Sequence, residues 1–295
     1  MHRLGAAQCD AAGPHIRPFN QADPSSSARR RRSPPLLASP PEPVGSRRLR
    51  IVYVTLLRLH GVSRSFRRGD EQIRALRDVS LDVRAGDLFA IYGQRGAGKT
   101  TLLRVAAGFD KPDTGAVTFQ DTNLASLSKR HLARIHREQI GWVERNGAHS
   151  HDLTANVYVA LPLYGKVGPS NARRRALVAL ARVGAAECSD RRWDDLSDAD
   201  RVLVAVAQAL VREPRLLIVD DPTAGLSITD RERVVSLLRA AAEEGGLGVL
   251  MAVPDMPAML HAHQVRSLSR GRLLAPLRTE HGADVVRLSP RHRSA

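Results

Sequence analysis

The chain has 295 residues, 43% of them hydrophobic and 25% charged, with a formal net charge of +15 and only two cysteines, Cys9 and Cys188. That is enough for one large or two small domains with a sizeable core, and the cysteines are too few for a disulfide framework or a metal cluster, which fits a reducing compartment. No run of 18 or more uninterrupted apolar residues occurs, so the pattern of a membrane-spanning helix is absent, and no basic segment interleaved with aromatics argues for specific nucleic-acid binding.

Residues 1–53 differ from the rest. They hold eight of the 17 prolines, nine arginines against three acids and the run Arg29 to Arg32, with no period of 2 or 3.6. This composition predicts a disordered basic tail without the apolar core of a signal peptide. Domain-like patterning begins abruptly at Val54. Two readings stay open: translation starting near Val54, or a basic arm touching membrane or nucleic acid.

From there, residues 54–62 and 75–83 roughly alternate apolar and polar side chains, as half-buried antiparallel strands do. Residues 87–92 form a short apolar run, expected as a buried strand. Next comes Gly93-Gln94-Arg95-Gly96-Ala97-Gly98-Lys99-Thr100-Thr101, which meets the phosphate-loop pattern G-x-x-x-x-G-K-[ST]. Glycines let backbone N–H groups curl around a phosphate. Lys99 suits the β and γ phosphates and the Thr100 hydroxyl suits Mg²⁺. The helix expected over 101–107 would aim its positive dipole end at the phosphates. The sequence then predicts a turn at 113–115, a strand over 116–119, a helix over 128–139 capped by Ser128, and a strand over 140–143. Residues 155–208 read as mostly helical. Two apolar runs, 216–219 and 248–253, suit a parallel sheet covered on both faces, with an amphipathic helix over 231–244 between them. The fold class is α/β, a P-loop domain with a mixed sheet, an antiparallel β part and a helical insertion.

In this order the landmarks resemble the ATP-binding domain of ABC transporters, over roughly residues 54–275. Residues 77–88 lead into the phosphate loop as in that family. The run from Leu124 to Arg134 is similar to the lipoprotein-releasing, macrolide-export and cell-division branch of exporters. The segment 214–226 resembles the family's second nucleotide motif, a strand ending in Asp220 and followed by Asp221-Pro222-Thr223. The resemblance implies that Phe66 stacks on adenine, that Asp220 holds Mg²⁺ through water, and that the cofactors are ATP and Mg²⁺. It also implies domains at 1–53, 54–280 (with a helical subdomain over about 144–212) and a basic tail at 281–295.

The departures from that family carry as much information. Its L-S-G-G-Q signature is here Leu196-Ser197-Asp198-Ala199-Asp200, which places two aspartates where a partner's γ-phosphate would approach. The catalytic glutamate position holds Asp221, one methylene shorter, leaving it as the candidate base. The glutamine that senses metal and water aligns with Arg145. That residue either pairs with the γ-phosphate or a vacated Mg²⁺ position, or forms a surface pair with Glu144 or Glu138. The switch histidine aligns with Pro254, with His261 and His263 further along expected at the surface, and the D-loop aspartate aligns with Ser227. Together these imply retained ATP binding and impaired hydrolysis. The function implied is an ATP-binding subunit that pairs as a homo- or heterodimer, docks on a separately encoded transmembrane permease, and sits on the cytoplasmic face of the membrane. The alternative is a nucleotide-dependent regulator or scaffold without transport.

Overall fold

The computed structural model describes residues 54–144, 152–254 and 261–274. The expected tails at 1–53 and 281–295 and the candidate Arg145 lie outside the described residues. Two sheets organise the chain. The first opens with an antiparallel hairpin, β1 (Thr55–Arg68) and β2 (Glu71–Arg84). It continues through β4 (Thr114–Phe119) and β5 (Thr122–Asn123) in the order β2-β1-β4-β5. The β1–β2 register slips between Leu59 and Val62, and Asp78 sits at a left-handed φ of 53°. An inserted residue flips the faces of all later residues in its strand, which is why the alternation in sequence is only rough. β4 begins at Thr114, inside the segment expected as a turn, because Thr114 pairs with Ser63 of β1.

The second sheet has six strands. β3 (Leu88–Tyr92), β6 (Ile140–Glu144), β7 (Leu216–Asp220), β8 (Gly248–Val253) and β9 (Gln264–Ser269) run parallel in the order β9-β3-β8-β7-β6. β10 (Arg272–Leu273) adds an antiparallel edge. Side chains alternate across this sheet. Ile140, Leu216, Ile218, Leu250 and Ala252 join the core formed with α1 (Lys99–Ala106) and the antiparallel sheet. Val143, Leu217, Val219, Val249, Met251 and Val253 join the core formed with the remaining helices. Both faces are covered, so β7 and β8 read as continuous apolar runs rather than alternating ones; all six residues of β8 are buried.

The helices follow from their caps. α2 (Lys129–Glu138) starts after Ser128, whose hydroxyl accepts from the His131 N–H, as expected. The helical insertion, between β6 and β7, comprises α3 (Ala155–Ala160), α4 (Pro169–Arg182) and α5 (Asp198–Leu210). Proline at the first position of α4 removes an N–H that would have had no helical partner. α6 (Ile228–Gly245) starts three residues before the expected 231, because Ser227 caps it by accepting from the Asp230 N–H. α1 likewise starts at Lys99 rather than 101.

Candidate functional site

The phosphate loop connects β3 to α1 at the carboxyl end of the parallel sheet, where open α/β sheets place their ligand crevices. Its shape rests on two glycines. A Cβ at Gly93 would lie 2.4 Å from the Leu268 carbonyl oxygen, and one at Gly98 would lie 2.3 Å from that of Ala75. Gly98 also has φ 104°, a conformation costly for other residues. The turn between β9 and β10 packs onto the same place: the Arg77 N–H donates to the Gly271 carbonyl at 2.8 Å, and the Gly271 N–H donates to Ala97 at 3.0 Å. A Cβ on Gly271 would lie 2.6 Å from the Ala75 carbonyl as well. Three segments thus meet at one backbone oxygen.

Lys99 folds back into the loop, its ammonium donating to the carbonyls of Gly93 (2.5 Å) and Gln94 (3.3 Å). Burial pushes its pKa down, and the charges of Asp221 and then Asp220 push back. Above it opens a cleft of about 1030 Å³. From the antiparallel sheet the cleft is lined by Phe66, Ile73, Arg74 and Arg77. From the loop come Arg95, Gly96, Gly98, Lys99, Thr100 and Thr101. Glu144, Asp220, Asp221 and Pro254 line it from the ends of β6, β7 and β8, and Arg270 from the β9–β10 turn. Gly93 and Gln94 serve the loop through the carbonyls that hold Lys99, and Ala97 is buried beneath it.

Phe66 is 37% exposed. The Arg64 guanidinium sits 4.9 Å from its ring centroid and is held by Asp113 at 2.8 Å. Asp220, at the last position of β7, has its pKa raised by burial and by the charge of Glu144. The nearby Thr100 hydroxyl and Lys99 oppose that rise. A hydroxyl and a carboxylate side by side at the phosphate end are hard oxygen donors of the kind Mg²⁺ takes, so the residues present fit that ion. Asp221 follows with a left-handed backbone, φ 54°, its N–H donating to the Ala252 carbonyl at 3.0 Å. Its carboxylate is the largest acidic influence on Lys99.

The segment from Leu196 to Asp200 does not line this cleft among the described residues. Leu196 and Ala199 are buried. Ser197 caps α5, accepting from the Asp200 N–H at 3.1 Å and donating to its carboxylate at 2.7 Å. The Asp200 carboxylate, 13% exposed, also meets Arg233 at 3.4 Å and Arg191 at 3.8 Å. Asp198 pairs with Arg201 at 3.2 Å. The two aspartates expected to meet a partner's γ-phosphate are therefore each paired with arginine in this chain. His263 also differs from the surface residue expected: it is half-buried. Its Nδ1 accepts from the Leu88 N–H at 2.9 Å, which leaves the proton on Nε2, 3.0 Å from Glu243. It braces the start of β3 and does not line the cleft. His261 is half-buried too, its carbonyl accepting from Arg239.

Sequence reading missed Glu144 and Arg270 as cleft residues. Glu144 could have been found from its place at the carboxyl end of a strand next to β7. Arg270 could not, because β9 and β10 gave no sequence signal that placed their turn against the phosphate loop.

The family model described as ABC transporter matches residues 76–224. The macrolide export ATP-binding/permease protein MacB of Agrobacterium fabrum is 32% identical over 221 residues, 75% of this chain and 34% of that protein. The lipoprotein-releasing system ATP-binding protein LolD of Chromohalobacter salexigens is 32% identical over 220 residues, 74% of this chain and 92% of that protein. The chain therefore spans about a third of the macrolide-export relative it matches and most of the lipoprotein-releasing one. Among solved structures, the dimeric bacterial ABC transporter cassette MJ0796 overlays with a TM-score of 0.68 at 28% identity, covering 75% of this chain and 97% of that one. The same cassette in a post-hydrolysis dimer bound to ADP and Pi overlays with a TM-score of 0.66.

Proposed function

Since the chain belongs to the ABC transporter family, in the branch of the lipoprotein-releasing and macrolide-export ATP-binding proteins, we propose that it binds ATP in the cleft over its phosphate loop and couples that binding to a separately encoded membrane permease. The observation that carries the reading is the assembled cleft: a loop in which Gly93 and Gly98 leave no room for a Cβ, with Lys99, Thr100 and Asp220 converging on it. Phe66, already held on one face by Arg64, offers a ring for the base to stack on. The loop N–H groups and the start of α1 bind the phosphates, and Lys99 exchanges its carbonyl partners for phosphate oxygens. Thr100 and Asp220 would hold a Mg²⁺, which when bound offsets charge across the β and γ phosphates. The chain works on the cytoplasmic face of the membrane and as a dimer with a second ATP-binding subunit. Among the described residues no helix is long and apolar enough to cross a membrane, which is consistent with a separate permease.

Hydrolysis is weak or absent in this reading. Asp221 carries a shorter side chain than the family's glutamate and lies under the influence of Lys99. Pro254, which aligns with the family's switch histidine, lines the cleft. The Ser197 hydroxyl is engaged with Asp200. A regulator or scaffold that binds nucleotide without transport is the second reading, favoured by that engagement. Incubating the purified chain with radiolabelled ATP and Mg²⁺, with Lys99→Ala as blank, separates the outcomes. Retained, unhydrolysed ATP supports a binding switch. ADP above the blank establishes turnover and makes Asp221 the first residue to substitute. No nucleotide retained over the blank overturns the proposal.

A further inference from the structure

We propose that Glu144 is a metal-side carboxylate of the cleft, and that it makes nucleotide binding by this chain unusually dependent on a divalent cation; the proposal rests on the nucleotide-binding reading above. The placement comes from strand register. β6 and β7 run parallel, and Glu144 is the register partner of Asp220. On β6, Ile140 and Trp142 pack against the core on the α1 side; on β7, Leu216 and Ile218 do the same. With side chains alternating at period 2, Glu144 and Asp220 project from that same face, on strands about 4.8 Å apart. Both line the cleft that holds Thr100 and Lys99.

Two carboxylates and a hydroxyl form an oxygen donor set of the kind a hard divalent cation takes. Among the described residues no three His, Cys, Asp or Glu side chains converge closely enough to hold a metal by themselves, so phosphate oxygens and water would complete the shell. Cation and nucleotide then bind as a unit. Without the cation, a triphosphate meets Glu144, Asp220 and Asp221 together, on the wall of a cleft whose cations are Lys99 and the arginines Arg74, Arg77, Arg95 and Arg270. With it, the carboxylates become an attraction. Glu144 therefore penalises bare nucleotide and rewards the cation complex, so its removal shifts the two affinities in opposite directions. A residue that merely stabilised the fold would move both the same way.

The test is equilibrium binding of ATP to the full chain and to Glu144→Gln, first in EDTA and then across a Mg²⁺ titration at fixed ATP. The isosteric variant keeps volume and hydrogen-bonding capacity at an exposed position. Removing one negative charge from the cleft should tighten metal-free ATP by about 3- to 10-fold. It should raise the Mg²⁺ concentration for half-maximal ATP retention by a similar factor of about 3–10. Glu138→Gln on α2, another exposed acid, should do neither. Affinities that both fall, both rise or both stay put in Glu144→Gln overturn the proposal. If the unsubstituted chain retains ATP with Mg²⁺ and Lys99→Ala does not, such a result falls on Glu144 alone. If the unsubstituted chain retains none, the nucleotide reading and this proposal fall together.

Discussion

Alanine at Gly98 should be far more damaging than alanine at Gly96, although the two glycines sit two residues apart in the same loop. Both have positive φ, 104° and 80°. Holding an L-residue in such a conformation costs about 1–3 kcal/mol at either site. Only at Gly98 does the new methyl meet an obstacle. Its Cβ would lie 2.3 Å from the Ala75 carbonyl oxygen, a backbone atom that cannot rotate away, whereas nothing lies within 4 Å of a Cβ at Gly96. Relieving that overlap requires β2 or the loop to shift, typically costing a further ~1–3 kcal/mol. The total for Gly98→Ala is then about 2–6 kcal/mol, a large part of a typical domain stability of ~5–15 kcal/mol. Urea unfolding of the nucleotide-free chain measures both variants on one scale. Gly98→Ala should also lose ATP affinity, because the shift falls on the first turn of α1. Equal urea midpoints for the two variants would refute the reasoning, since they would mean that the approach to Ala75 does not constrain the loop.

The burial that raises the Asp220 pKa penalises its charged form. A carboxylate whose folded pKa lies above its unfolded value takes stability away as pH rises from the ordinary carboxylate range through the raised value, and the loss is complete above it. Asp220→Asn should therefore raise the melting temperature of the nucleotide-free chain at pH 7 and flatten its pH dependence over that window, while abolishing the gain in ATP affinity from Mg²⁺; a lower melting temperature would contradict the assignment. Asp200→Ala should cost about 1–3 kcal/mol by denaturation, since it removes a mostly buried carboxylate that serves a cap and two arginines. Asp198→Ala, at a pair whose carboxylate is 74% exposed, should cost no more than about 0.5 kcal/mol, and equal losses would undo that distinction. His263→Ala should cost about 1–3 kcal/mol by leaving the Leu88 N–H without its acceptor, with ATP affinity unchanged. A stable His263→Ala chain with altered turnover would give that histidine a catalytic part instead.

Much of the fold was legible because its signals are local. The apolar runs at 216–219 and 248–253 suit strands covered on both faces, and the two cores bear this out. The cap at Ser128 was readable from its own residue type. The cap at Ser227 was not, because the family alignment assigned that position to a catalytic loop; its service to Asp230 is seen only in the structure. β9 and β10 escaped because Gln264–Ser269 mixes polar and apolar side chains at the edge of the parallel sheet, where only Val265, Ser267 and Leu268 are buried. At the site, motif residues were legible by spacing. Glu144 was not, because what makes it a cleft residue is its register with Asp220, a partner 76 positions away in sequence by simple subtraction of the two residue numbers. The charge balance at Asp200 was hidden for the same reason: Arg233, one of its partners, comes from α6.

The meeting of Gly98, Gly271 and the Ala75 carbonyl has a consequence for how this domain can change over time. Gly98 and Gly271 approach β2 through backbone atoms, and the hydrogen bonds from Arg77 and to Ala97 are backbone bonds too. These contacts use none of the exposed side chains of the hairpin. Phe66, Ile73 and Arg74, which line the cleft from the hairpin, are thus exchangeable without moving Lys99 or Thr100. In the proposed nucleotide-binding reading, choice of nucleobase and grip on the phosphates would be separately adjustable, the first by ordinary substitution and the second guarded by Gly98 and Gly271, where a Cβ would meet backbone.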